Sequence, residues 1–162
     1  MAKKTSVLYS FFLIFLCVFF FDRISKTFLQ KELASRGSLP VVPGIFHLTL
    51  VHNTGAAFGL FKGGTLFFVG VTFLCLSSMV LLLNNNTFIK KIMPLDNRDP
   101  LIRFALSLIA GGACGNLYDR LKFSYVVDFL DFRIWPVFNI ADSAITIGGL
   151  LLFYSFLKHR NA

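Results

Sequence analysis

The chain has 162 residues, of which 56% are hydrophobic and 15% are charged. This length suits one domain, and this composition is typical of a protein embedded in a lipid bilayer rather than of a water-soluble one. The formal net charge of +8 is not gathered in a basic block with interleaved aromatic residues. It therefore favours attraction to anionic lipid headgroups and gives no support to nucleic-acid binding.

Four apolar segments predict four transmembrane helices. The second and fourth are long enough to cross roughly 30 Å of hydrocarbon, whereas the first and third need a few flanking polar residues to reach that length. The predicted spans are about residues 7–28, 66–83, 102–120 and 137–157. We therefore expect an all-α membrane protein with four transmembrane helices, folded as a single integral membrane domain over residues 1–162.

The first span follows Lys3 and Lys4, as the apolar core of a secretory signal would. No cleavage pattern of small residues follows it, so we expect it to stay attached as a helix. Near its far end, Asp22 and Lys26 lie one helical turn apart and can pair on one face. The simpler interpretation is an interfacial ion pair with Lys26 snorkelling towards water. The functional alternative is that the pair orients neighbouring polar groups.

The connection between the first two spans contains a short strand pattern. The segment FHLTL, residues 46–50, alternates apolar and polar side chains, which favours a strand over a helix. The segment NTGAAFG, residues 53–59, follows it directly. We expect a small extracytoplasmic strand and loop element here that covers a site, with backbone amides around Gly55 available to hold an extended peptide.

The orientation of the chain is not decided by its basic residues, which divide evenly between the two sides of the membrane. Most of the acidic residues lie on the side of the first and third connections, where they can pair with cations. The short connection marked by Asn84 and Pro94 then lies inside. This distribution favours cytoplasmic N- and C-termini and places the polar chemistry at the outer surface.

Span 3 ends in the segment GNLYDR, in which Asn116, Asp119 and Arg120 have the spacing i, i+3 and i+4. All three side chains can project to about the same side of a helix. The glycines within residues 111–115 allow another helix to approach closely. The pattern suggests a polar cluster between helices, although Asp119 and Arg120 could also mark the exit of the chain into water.

Further acids lie in the last connection and at the start of span 4. Asp128 and Asp131 share a face if VVDFLDF is helical and oppose each other if it is extended. Asn139 and Asp142 have the spacing of an N-cap and the third helical residue, so capping alone could account for Asp142. Capping does not explain why several other acids gather at the same membrane level, where ionisable residues are by default functional candidates.

These residue types disfavour several chemistries. The three histidines, His47, His52 and His159, have no acid at metal-ligand spacing, which disfavours a metal site, and we expect no cofactor. Ser143 has no histidine nearby and no GxSxG segment occurs. What remains is aspartate: two carboxylates forced together share a proton, so one can activate water while the other polarises a carbonyl.

Two alternatives to such a peptidase differ in what they require of the sequence. A non-enzymatic transporter subunit with an aspartate proton relay would distribute its acids through the depth of the bilayer, whereas here they crowd one surface. A presenilin-like protease would need a GxGD segment, which this chain lacks.

Five segments together carry a resemblance to a known family. They are DRISK, NTGAAFG, GGACGNLYDR, VVDF and FNIADSAI, in this order. In this they resemble the lipoprotein signal peptidase, or signal peptidase II, family. The resemblance implies a bacterial inner-membrane aspartic endopeptidase with four transmembrane helices, cytoplasmic termini and an active site at the outer (periplasmic) surface. It implies cleavage of the signal peptide from a prolipoprotein, just before a cysteine that carries diacylglyceryl.

The same resemblance assigns roles to individual residues. The catalytic pair falls on Asp128 and Asp142, and Asp131 lies outside the essential motif. Asp22 and Lys26 match a structural support pair. The residues that match those lining or bracing the substrate site are Asn53, Asn116, Asp119, Arg120 and Asn139. The implied partners are the diacylglyceryl-modified prolipoprotein and membrane lipids, without metal or nucleic acid, and we expect a monomer.

Overall fold

The computed structural model describes residues 2–55, 61, 63–83 and 99–160. Within these residues the chain forms four helices and a three-stranded sheet. The helices are α1 (Ala2–Leu33), α2 (Thr65–Leu83), α3 (Pro100–Phe123) and α4 (Ile140–Arg160), and the strands are β1 (Ser38–Val42), β2 (Phe46–Asn53) and β3 (Val126–Asp131). The connection over residues 84–98, residues 56–59 of the NTGAAFG segment and the adjoining Leu60 lie outside the described residues.

Two of these helices have the length and composition of a membrane span. They are α3 and the Ile140–Lys158 part of α4. The apolar stretch Thr65–Leu81 of α2 is shorter. All four predicted spans coincide with helices, although α4 begins at Ile140 rather than at residue 137 because Asn139 precedes it as a cap. The count of four crossings stays a prediction.

Helix α3 has clear signals at both ends. The Asp99 side chain accepts a hydrogen bond of 2.8 Å from the backbone N–H of Leu101, and Pro100 occupies the first turn, where its missing N–H is not needed. The helix stops at Ser124, which has a φ of 65° and donates its N–H to the carbonyl of Arg120. These ends fix where the polar residues of the last turns lie.

The glycines of α3 allow its neighbours to approach closely, as predicted. A Cβ atom on Gly111 would lie 2.8 Å from the carbonyl oxygen of Phe15 in α1, and one on Gly112 would collide with the carbonyl of Ala141 in α4. From α4, Gly148 packs in the same way against Ile109. Larger side chains would force the three helices apart. An apolar core next to these contacts contains Met79, Ile102, Leu106 and Ala110.

The sheet is antiparallel in the order β1–β2–β3. The strand predicted at residues 46–50 is confirmed and extends to Asn53. The strand element predicted between the first two helices is present as β1 and β2, and β3, from the connection between α3 and α4, adds a third strand that the sequence did not predict. Pairing across the two connections places Asn53 opposite Val126 and Val51 opposite Asp128, with a bulge between Leu48 and Val51.

Candidate active site

Asp128 lies in the middle of β3 with only 1% of its surface exposed. Its Oδ1 accepts a hydrogen bond of 2.6 Å from the side-chain amide of Asn139, and its Oδ2 accepts one of 2.9 Å from the side-chain amide of Asn53. Both carboxylate oxygens therefore have neutral amide donors.

Asp142 lies in the first turn of α4 and is half-buried. Its Oδ1 accepts a hydrogen bond of 2.7 Å from the side-chain amide of Asn116. Its Oδ2 accepts the backbone N–H of Asn139 at 3.3 Å, while its own N–H donates to Asn139 Oδ1 at 2.8 Å. This reciprocal pair confirms the predicted capping arrangement, and it also fixes the carboxylate in one orientation.

Asn139 connects the two carboxylates. Its side-chain nitrogen donates to Asp128, and its backbone and side-chain oxygen hold Asp142. The same nitrogen lies 3.2 Å from Asn116 Oδ1 and 3.3 Å from the carbonyl of Val127. Asn139 is fully buried, so the amide has no water to turn towards. In the described part of the chain, neither Asp128 nor Asp142 forms an ion pair.

This environment changes the acidity of Asp128. Burial, followed by the nearby charge of Asp142, raises the pKa of Asp128 from 3.8 to about 7, despite the opposing hydrogen bonds from Asn53 and Asn139. Two carboxylates that hinder each other's ionisation can hold one proton between them near neutral pH.

A second pair of carboxylates, Asp22 and Asp119, is neutralised by Lys26, which is linked to Asp142 through Asn116. The ammonium nitrogen of Lys26 lies 2.9 Å from Asp22 Oδ2, 3.0 Å from Asp119 Oδ2 and 2.8 Å from Asn116 Oδ1. Asp22, Lys26 and Asp119 are all fully buried. The predicted pairing of Asp22 with Lys26 is confirmed, but the interpretation as an interfacial pair with a snorkelling lysine was wrong. Three acceptors enclose the ammonium group and replace the water that it would otherwise seek.

Asp22 and Asp119 also accept hydrogen bonds from backbone N–H groups that lie next to Asp142 and Asp128. Asp22 Oδ1 accepts the N–H of Ala141 at 3.0 Å, next to Asp142, and Asp119 Oδ2 accepts the N–H of Val127 at 3.2 Å, next to Asp128. The second pair is therefore connected to both catalytic candidates.

Arg23 was missed by the sequence prediction. Its guanidinium group pairs with Asp119 Oδ1, so it completes the neutralisation of the second carboxylate pair together with Lys26. The available signal was its place beside Asp22 at the polar end of α1. Its partner lies far along the chain, and nothing local points to that partner.

Arg120 and Gly55 border the site on the side of the connection between α1 and α2. Arg120 Nη2 donates to the carbonyl oxygen of Gly55 over 3.4 Å, and its guanidinium carbon lies 4.9 Å from the centre of the Phe68 ring. The N–H of Gly55 donates to Asn53 Oδ1 at 2.9 Å. The Gly55 N–H is therefore not free to hold a peptide, since it fixes the Asn53 side chain that contacts Asp128, while the prediction for the amides that follow it concerns residues 56–59, outside the described residues.

Asp131 lies in the same strand as Asp128, and because the segment is extended the three-residue spacing puts the two acids on opposite faces. Its Oδ2 accepts from Thr49 at 2.8 Å, and Arg133 donates through its backbone and side chain. Burial acts to raise the pKa of Asp131, but these hydrogen bonds outweigh it and lower that pKa. Asp131 is thus a paired carboxylate whose negative charge is held by Thr49 and Arg133.

Comparison with known proteins shows what kind of protein contains this site. The model of the family described as Signal peptidase (SPase) II matches residues 14–158. The chain belongs to the signal peptidase II family. This family consists of aspartic peptidases, which makes the chain a protease. The proton-relay transporter alternative receives no support.

Relatives and solved structures agree with this membership. The lipoprotein signal peptidase of Moorella thermoacetica is 48% identical over 147 residues, covering 91% of this chain and 92% of the relative. That of Pelotomaculum thermopropionicum is 44% identical over 147 residues, covering 91% of both chains. A bacterial membrane enzyme solved by the in meso method at 2.3 Å is 32% identical with a TM-score of 0.76, covering 92% of this chain and 88% of that one.

Proposed function

We propose that this signal peptidase II family member is a membrane aspartic endopeptidase in which Asp128 and Asp142 form the catalytic pair. Its substrate is a bacterial prolipoprotein, cut before the diacylglyceryl-modified cysteine. The observation that carries the assignment is that Asn139 joins these two carboxylates while every hydrogen bond they accept comes from an uncharged amide. No other pair of acids in the described residues combines burial with freedom from a cation.

The chemistry follows from one proton shared by the pair. The ionised carboxylate takes a proton from water, and the oxygen of that water attacks the carbonyl carbon of the scissile peptide bond. The protonated carboxyl donates to the carbonyl oxygen, where negative charge develops. The tetrahedral intermediate then breaks at its C–N bond, and a proton passes to the cysteine nitrogen. No step requires a metal ion.

The amides keep the pair in position for this reaction. Asn116 and Asn139 hold Asp142, while Asn53 and Asn139 hold Asp128. Each amide is itself fixed by a further partner: Lys26 for Asn116, and the N–H of Gly55 for Asn53. Because its donors are already oriented, a carboxylate in this site needs little reorganisation free energy when charge moves during the reaction. Arg120 adds positive charge near the pair without directly hydrogen-bonding to it.

The membrane placement completes the proposal. Helices α1 to α4 each cross the bacterial inner membrane in one integral domain, the termini lie in the cytoplasm, and the pair lies at the outer surface. A diacylated substrate stays in the bilayer because each buried methylene contributes roughly 0.8 kcal/mol. The active site forms where α3, β3 and the start of α4 meet, at the outer ends of the membrane-spanning helices. The lipid-anchored substrate reaches it from the surrounding lipids. The enzyme acts as a monomer.

The test is cleavage by the purified protein in detergent. A diacylglyceryl-modified prolipoprotein should lose its signal peptide, seen as a mobility shift and by mass at the new cysteine N-terminus. The matched control is the same precursor without the lipid, which should stay intact. Equal cleavage of both precursors would contradict the substrate assignment, and activity lost to a chelator and restored by zinc would contradict the metal-free mechanism.

A further inference from the structure

A groove with a volume of about 390 Å³ runs between α1 and α3. Its walls combine aromatic rings with two cations, and two neutral polar side chains of α1 complete them. The residues that matter most are Phe19, Phe20, Arg23, Tyr118, Lys122 and Phe123. Neither carboxylate of the catalytic pair lines it, so it is a feature distinct from the active site.

The two cations of the groove converge on one aromatic ring. The guanidinium carbon of Arg23 lies 4.4 Å from the centre of the Tyr118 ring, and the ammonium nitrogen of Lys122 lies 5.4 Å from it. Lys122 also donates a hydrogen bond of 3.1 Å to the Tyr118 hydroxyl and lies 5.1 Å from the Phe123 ring. The ring face attracts both positive charges and holds them in one place.

The positive charge of Arg23 and Lys122 is only partly neutralised. Arg23 pairs with Asp119, and its side chain is 15% exposed. Lys122 is exposed and has no acidic partner within residues 2–55, 61, 63–83 and 99–160. An excess of one positive charge therefore remains beside a cavity that can admit a group of moderate size.

The surroundings of the groove are apolar and exposed. On the same part of α1, Phe20, Phe21, Ile24 and Phe28 are each more than half exposed. In a membrane protein such a surface faces acyl chains, while aromatic and basic residues gather at the level of the headgroups. Arg23 and Lys122 thus lie where the exposed apolar surface of α1 meets the level of the lipid headgroups.

We propose that the groove binds the headgroup of an anionic phospholipid. The phosphate lies between Lys122 and Arg23, and an acyl chain runs along Phe19 and Phe20. A single negative charge complements the unpaired Lys122, whereas a zwitterionic headgroup brings its own cation towards the same place. This site is additional to the peptidase activity, and the proposal does not depend on the catalytic assignment.

The experiment is native mass spectrometry of the detergent-purified protein with phosphatidylglycerol or phosphatidylcholine at equal concentrations. Phosphatidylglycerol should bind preferentially. Lys122→Gln should weaken its binding about fivefold while leaving phosphatidylcholine unchanged, as expected for the loss of one surface charge from an anionic-lipid site. Lys122→Arg should retain the preference. The charge-matched control is Lys158→Gln in α4, an exposed lysine outside the groove, which should behave like the unaltered protein.

Three results would overturn the proposal. One is equal binding of the two lipids by the unaltered protein. Another is a loss in Lys158→Gln as large as that in Lys122→Gln, because net charge alone would then explain the preference. The third is glycerol phosphate binding as tightly as the lipid, which would make the site one for a soluble anion. Arg23 is left unaltered because its contact with Asp119 would confuse a binding loss with unfolding.

Discussion

Two pairs of aspartates, all buried except the half-buried Asp142, lie next to each other in this molecule, and their surroundings differ in one respect. Asp22 and Asp119 are neutralised by Lys26 and Arg23, whereas the hydrogen bonds that Asp128 and Asp142 accept from the described residues all come from amides. A cation fixes the charge state of a carboxylate, while a neutral donor leaves room for a proton. The difference teaches that one pair maintains the structure and the other can titrate during a reaction.

The largest effect should come from altering the pair that can titrate. Asp128→Asn and Asp142→Asn should each reduce cleavage by about 10⁴-fold, at the upper end of general acid–base contributions, because a carboxamide can neither accept nor share the proton. Turnover of the modified prolipoprotein measures this. Neither variant should melt at a lower temperature than the unaltered enzyme.

The control for these variants is Asp131→Asn in the same strand, which should change turnover by no more than about twofold, since Asp131 contacts Thr49 and Arg133 instead. Full activity in either Asp128→Asn or Asp142→Asn would remove the catalytic assignment.

Altering the neutralised pair should instead affect stability. Lys26→Met leaves Asp22 and Asp119 buried without their shared cation, which should cost about 3–5 kcal/mol. The melting temperature in detergent measures the loss. The matched control is Lys31→Met, an exposed lysine in the same helix, which should melt normally. A stable Lys26→Met variant would mean that the two pairs do not differ as described.

Asn139 should affect both turnover and stability, because it is fully buried and contacts both catalytic candidates. Asn139→Ala should lower turnover about 100-fold, since Asp128 loses a donor and Asp142 loses its cap. It should also cost about 1–3 kcal/mol for the buried groups left unpaired. Parallel measurement of turnover and melting separates the two effects, and a purely structural role predicts normal turnover below the melting transition.

The smallest expected effect is on pH dependence. With the pKa of Asp128 at about 7, the singly protonated pair is depleted as the pH rises above 7, and cleavage should fall about tenfold per unit. Asp131→Asn should keep the same profile. A rate that stays flat from pH 7 to 9 would contradict a shared proton.

The stability of the fold should also depend on the ionisation of Asp128. Because folding raises the pKa of Asp128 from 3.8, the folded state binds the proton more tightly, so stability falls as the pH rises from about 4 to 7. Replacement of Asp128 by Asn removes this part of the decline. The melting temperatures of the unaltered protein and of Asp128→Asn should therefore converge as the pH falls towards 4.

The sequence predicted those features that depend on neighbours along the chain. Hydropathy located the helices, the Asn139 and Asp142 spacing predicted the cap, and the glycines of α3 predicted close packing. The alternation of residues 46–50 predicted β2. Each of these signals lies within a few residues of the structure that it predicts.

What could not be predicted depends on partners far apart in the sequence. Lys26 looks like an interfacial lysine until Asp119 and Asn116 are placed around it by the packing of α3 on α1. Strand β3 is short and has no turn linking it to β2, so its pairing was not visible. The role of Arg23 depends on the same long-range packing.

The bulge between Leu48 and Val51 in β2 has a consequence for insertions and deletions. It adds a residue to one strand only, and it therefore sets which side chain of β2 stands beside Asp128. Removing Leu50 would only close the bulge and leave Asn53 opposite Val126, whereas removing His52, which follows the bulge, would move Asn53 by one position and turn it to the opposite face of the sheet. The length of β2 after the bulge is therefore as restricted as the identity of its last residue, even though His52 forms no hydrogen bond with either carboxylate.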